Sequence, residues 1–171
     1  MNAAKAKAGG IELGTKVENR TIVAYVTKGG ATGEAANVIA NTLSEKSGLE
    51  IDVVNLRQQP HPDLTPYRNV VIGGGVRAGK VYKEAVDFVK QDLSGKRVAI
   101  FICSGAAGNR LRHDEVLEKY ITKGLAAYNV KLVSKGAFGG CIKILGITVT
   151  DRRDPVKVQA WAEELGKKFI E

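Results

Sequence analysis

The chain has 171 residues, 44% of them hydrophobic, which suits one domain rather than two and supplies enough core to fold without a disulfide or a structural metal. Its formal net charge of +8 favours acidic partners, but the cationic residues are dispersed, as at Lys5 and Lys7, Arg110 and Arg112, Arg152 and Arg153, and Lys167 and Lys168. With no compact basic helix and no basic run interleaved with aromatics, the pattern argues against a specific nucleic-acid reader.

Residues 1–20 read as a poorly ordered lead-in with a short extended piece around Ile11–Val17, and residues 21–171 as the folded domain. Thr21–Thr27 is an apolar run ending in a Gly-rich turn, the mark of a buried strand. Gly33–Lys46 carries Ala36, Ile39, Ala40 and Leu43 at helical spacing, and Gly48 stands where a helix stop is expected. Ile51–Leu56 is the second strand, followed by a loop with Pro60, Pro62 and Pro66. Val70–Ile72 is the third strand and ends at the Gly73–Gly75 run; Lys80–Gln91 then reads as a helix with Val81, Ala85, Phe88 and Val89 on one face. Arg97–Cys103 is the fourth strand, His113–Tyr128 the fourth helix and Val130–Phe138 the fifth strand. Residues 139–150 form a long connection, and Asp154-Pro155 signals the start of a last helix that runs to about Ile170.

Strands alternating with helices predict an α/β fold: a doubly wound, three-layer arrangement of five parallel strands in the order 2-1-3-4-5. Ligands in such sheets bind beyond the carboxyl ends of the strands where the order reverses, here between strands 1 and 3. The loops after strands 1, 3 and 4 are rich in small residues: Lys28-Gly29-Gly30-Ala31, Gly73-Gly74-Gly75 and Ser104-Gly105-Ala106-Ala107-Gly108. The first is the most informative, because a helix N-terminus offers unpaired N–H groups and partial positive charge, and Thr27 and Thr32 add hydroxyls. It is neither a Walker loop nor the dinucleotide fingerprint.

At this loop the sequence resembles the flavodoxin family, and in particular its subgroup related to menaquinone-dependent protoporphyrinogen oxidase. Tyr25-Val-Thr-Lys-Gly-Gly-Ala-Thr32 is similar to the family's phosphate loop. Val71–Glu84, with Gly74, Gly75, Val76, Arg77, Ala78 and Gly79, is similar to the segment around Ala-Gly-Lys that flanks the isoalloxazine ring. Gly136–Gly140, Thr150–Asp154 and Trp161 echo the subgroup's late motifs. The resemblance implies non-covalently bound flavin mononucleotide (FMN) and electron transfer on the flavin between protein or quinone partners. The groove would lie between 27–32, 74–80 and 104–110, with no catalytic side chain and no metal. Where the family often carries aromatics this chain has Gly29, Arg77 and Val81, and where it often carries a hydroxyl this chain has Ala31. Tyr82 reads as a partly buried helix residue.

The two cysteines, Cys103 and Cys141, sit in apolar stretches that suit buried, reduced thiols. The histidines, His61 and His113, lack matching metal ligands, and no apolar run suits a secretory leader or a membrane span. A cytoplasmic protein is therefore expected, with an acidic redox partner protein and room for peripheral membrane contact. Two other readings compete. One is a flavin-free docking or regulatory module of the same fold, favoured by the missing aromatics. The other is a hydrolase-type enzyme with Cys103 at a nucleophile elbow and His113 as its base.

Overall fold

We describe a computed structural model of the chain, which describes residues 20–128 and 130–171. The expected lead-in and its extended piece at Ile11–Val17 lie outside the described residues. Five parallel strands form the main sheet: β1 (Arg20–Val26), β2 (Glu50–Asn55), β3 (Asn69–Arg77), β5 (Arg97–Ser104) and β6 (Leu132–Gly139). Their order is β2-β1-β3-β5-β6, which is 2-1-3-4-5 when the main strands alone are counted. A short strand, β4 (Lys80–Val81), pairs antiparallel with the end of β3.

Strands at the centre of a parallel sheet are covered on both faces, and β1 and β5 are accordingly apolar at successive positions. Alternation then divides them. Ile22, Ala24, Ile100 and Ile102 pack on one side with Phe88 and Leu125. Val23 and Phe101 pack on the other side with Ile39, Leu43 and Leu165. That second side is covered by α1 (Ala31–Ser47) and α4 (Pro155–Ile170). The first is covered by α2 (Lys83–Val89), by α3 (His113–Val116) and by the turns that follow α3. Gly48, at φ 64°, closes α1, and the Asp154 side chain accepts a hydrogen bond from the Lys157 amide at the start of α4, with Pro155 in its first turn.

Four local expectations are corrected. The run Gly73–Gly75 is not a loop but part of β3, paired with Phe101, Ile102 and Cys103 of β5; a Cβ on Gly73 would lie 2.1 Å from Phe101 Cζ, so the missing side chain is what lets that ring cross the strand. Lys80–Val81 is not helical either. Ala78 (φ 50°) and Gly79 (φ 74°) make a two-residue turn between Arg77 and Lys80, and the helix begins only at Lys83. The fourth helix is short. After Val116 the chain widens into a π-helical turn over Leu117–Thr122, closed by the Lys123 amide donating to Glu118 O, and then tightens at Leu125–Ala127. Finally, the connection after β6 is an antiparallel hairpin of β7 (Cys141–Ile144) and β8 (Ile147–Asp151).

Candidate cofactor-binding site

The chain leaves β1 at Val26 and reaches α1 through Thr27–Gly30. Gly30 adopts φ 92°, a conformation a side chain rarely tolerates, and its N–H donates to Thr27 Oγ1 at 2.9 Å. The first helical bond runs from the Glu34 amide to Gly30 O. The amides of Ala31, Thr32 and Gly33 have no acceptor among the described residues. They therefore present three donors and the positive end of the helix dipole at one point.

A cleft of 130 Å³ opens there. Its walls are Thr27–Gly29, Ala31 and Thr32 from the loop and α1, Gly75 and Val76 from β3, Cys103–Gly105 at the end of β5, Tyr82, and Gly140–Ile142 at the base of the hairpin. The hairpin base is fixed to the end of β5: the Gly140 amide donates to Ser104 O, the Arg152 amide to Gly140 O, and Arg152 Nη1 to Gly105 O. Lys28 Nζ lies 5.3 Å from the centre of the Tyr82 ring, a cation–π distance.

Of the residues expected at the site, Thr27, Lys28, Gly29, Ala31, Thr32, Gly75, Val76, Ser104 and Gly105 line this cleft. Gly30 shapes it as the helix cap. Gly74 faces away, toward Val81 and Ala85, because successive strand residues point to opposite faces. Arg77, Ala78 and Gly79 run past the cleft into the β3–β4 turn. Ala106 starts the helical turn after Gly105. Ala107 and Gly108 line a different cavity of 670 Å³, with His113, Arg152 and Lys157. Five wall residues lie outside the expected cofactor set: Cys103, weighed only as a nucleophile; Tyr82, which precedes α2 rather than lying inside it; and Gly140, Cys141 and Ile142, hidden by the assumption of an unstructured connection.

Cys103 reaches the cleft as a buried thiol. Burial pushes it up to about 12, against a smaller downward effect of the Thr32 hydroxyl. His113 lines the other cavity, so the two do not share a site, and a thiol protonated at neutral pH is a poor nucleophile. Cys141, expected to be buried, is partly exposed. Iodoacetamide at pH 8 should therefore modify Cys141 and spare Cys103 until the protein unfolds. Peptide mapping showing Cys103 labelled first in the native state would contradict this.

Arg153 ties the end of the hairpin to the start of α1. Its Nε donates to Asp151 Oδ1 at 2.8 Å and its Nη1 to Glu34 Oε1 at 2.7 Å. The side-chain hydrogen bond from Arg153, then its backbone amide, holds the Asp151 carboxyl down at about 2. A carboxyl depressed by folding stabilises the native state above its unfolded pKa and loses that contribution as pH falls through the folded value. The hairpin anchor should thus survive at pH 3 and release near pH 2. Arg153→Gln should return the Asp151 titration, followed by NMR, to the ordinary range near 4; a midpoint still near 2 would remove Arg153 as its cause.

A family model of the flavodoxin domain matches residues 22–164. The chain belongs to the flavodoxin family. Over 72 residues this flavodoxin-domain chain is 33% identical to protoporphyrinogen IX dehydrogenase [quinone] of Escherichia coli K12, a match that covers 42% of this chain and 39% of that protein. Among solved structures, flavodoxin 2 of Bacillus cereus superposes with a TM-score of 0.61 at 21% identity, covering 88% of this chain and 97% of the other. Rubredoxin oxygen:oxidoreductase of Desulfovibrio gigas superposes with a TM-score of 0.64 at 12% identity, covering 89% of this chain and 36% of the other. Identities this low speak to the fold, which is the expected flavodoxin-like one. FMN is the cofactor that membership in the family indicates. Among the described residues no helix is long and apolar enough to cross a membrane, and no group of three or more His, Cys, Asp or Glu could hold a metal ion.

Proposed function

We propose that this flavodoxin-domain chain binds FMN without a covalent link in the cleft at the start of α1 and passes electrons between a reduced donor and a protein or quinone acceptor. The observation that carries this is the set of unpaired amides at Ala31, Thr32 and Gly33, which face the cleft where the sheet order reverses. A phosphate group fits that seat: three N–H donors, the Thr27 hydroxyl proton and the helix dipole all favour an anion. Tyr82 and Ile142 supply apolar surface for a ring beside it. Bound FMN would supply the electron-transfer chemistry.

The chain's own residues position and tune. Gly29, Gly75 and Gly105 keep the walls free of side chains, and Cys103 stays a neutral wall. Lys28 on the cleft wall, with Arg77 and Lys80 paired in the adjoining β3–β4 turn, brings positive charge toward the site, which favours the more negative oxidation state of whatever binds. The midpoint potential is therefore expected above that of free FMN. The quinone acceptor rests on the likeness to the Escherichia coli dehydrogenase over part of both chains.

The cleft itself supports a second reading. Its 130 Å³ holds a phosphate but is below the ~300 Å³ or more usual for whole-cofactor pockets, so a flavin ring must occupy the mouth or displace the hairpin. A flavin-free docking module predicts a colourless protein that does not quench added FMN. Titrating the purified chain with FMN and following flavin fluorescence decides between the two. Saturable quenching supports the cofactor reading, and its absence at high micromolar FMN ends it.

A further inference from the structure

We propose that the β7–β8 hairpin docks on a lipid bilayer, its apolar face entering the boundary between headgroups and acyl chains of an anionic membrane. Large exposed hydrophobic residues elsewhere on the described surface are scattered, as is usual. Here they concentrate on one hairpin: Ile142, Ile144, Ile147 and Val149 are all exposed, and Leu145 at the tip is 97% exposed. Residues opposite each other in a pair share a face. Ile144 opposes Ile147 on one face, and Lys143 opposes Thr148 on the other. The finger is thus amphipathic, with its apolar strip starting at Ile142 in the cleft wall and ending at the tip.

The turn makes the point sharper. Leu145 (φ 50°) and Gly146 (φ 79°) form a two-residue turn in which both central residues have positive φ. Asn, Asp or Gly relieves such strain at the first position, whereas leucine does not. The fold gains nothing from this leucine, which touches almost nothing, so its use is off the protein. Strands of four and five residues reach roughly 13–17 Å, enough to enter an interface and far too short to cross a bilayer.

Charge selects the partner. Lys28, Arg77, Lys80 and Lys143 stand at the same carboxyl edge of the sheet, and none has an ion-pair partner among the described residues. A chain of net charge +8 presenting these groups beside an apolar finger complements anionic headgroups over acyl chains. It opposes a second copy of itself, whose edge carries the same sign.

Co-sedimentation with phosphatidylcholine vesicles, with and without phosphatidylglycerol, tests this at low and high salt. The chain should bind the anionic vesicles, and salt should weaken the binding. Leu145→Asn places a favoured residue in the turn, so the variant folds at least as well, yet its vesicle affinity should fall roughly tenfold or more, the cost of one buried leucine side chain. Ile147→Glu should abolish binding. FMN content of the same samples should stay unchanged, which separates failure of docking from failure of the cofactor reading. Absence of vesicle binding overturns the proposal, as does binding that Leu145→Asn leaves intact. A dimer that this substitution dissociates, with no vesicle binding, overturns it in favour of a second copy on this face.

Discussion

Replacing Ala31 by Asp is expected to abolish FMN binding while leaving the apo fold as stable as before or slightly more so. Ala31 is the first residue of α1 and lines the cleft. A carboxylate in the first turn of a helix interacts favourably with the dipole, worth ~0.3–1 kcal/mol. The same carboxylate would face the phosphate. Two like charges about 4 Å apart at an effective dielectric near 20 repel by about 4 kcal/mol, close to a thousandfold in affinity. Ala31→Asn adds the same bulk without the charge and should retain most of the affinity. Flavin-fluorescence titration and thermal unfolding of the apo protein read the two effects separately. FMN affinity unchanged by Asp would move the phosphate out of this seat and take the proposed function with it.

The seat illustrates what the sequence makes visible. A buried strand running into Thr27–Gly30 and then into a helix is a local pattern, and local patterns carried β1, α1, β5 and the Asp154-Pro155 cap correctly to the structure. The switch point followed from the alternation of elements, and with it most of the cleft wall. What stayed hidden depends on contacts distant in sequence. Glycine weakens a strand on its own, so Gly73–Gly75 reads as a loop until Phe101 is seen lying across it. Tyr82 enters the cleft only because the Ala78-Gly79 turn folds Lys80–Val81 back on β3 and delays the helix. The hairpin after β6 did leave a trace, the alternation of Ile142, Ile144, Ile147 and Val149 with polar residues. It lacks the Asn-Gly or Asp-Gly signal that usually announces such a turn, because Leu145 occupies the position.

Gly73→Ala should strongly destabilise the centre of the sheet. The added Cβ would lie 2.1 Å from Phe101 Cζ and 2.5 Å from Cε1. Phe101 is fully buried, and its ring is held by Phe138 and Trp161 at centroid distances of 6.1 and 6.2 Å. Trp161 is itself fixed by Nε1 donating to Lys135 O at 3.2 Å. Neither the ring nor the paired backbone can yield cheaply, so overpacking should cost about 1–3 kcal/mol or more, lowering the melting temperature by roughly 2–4 °C for each kcal/mol in a domain of this size. The strain should also reach the site, because the same strand carries Gly75 and Val76 into the cleft. Phe101→Leu removes the clashing atoms and alone leaves a partly filled cavity. Combined with Gly73→Ala it should give a protein more stable than the sum of the single losses allows, with a coupling of order 0.5–3 kcal/mol. Denaturant midpoints of the four proteins measure that coupling. Strict additivity would show that Gly73 is glycine for some reason other than the ring that crosses it.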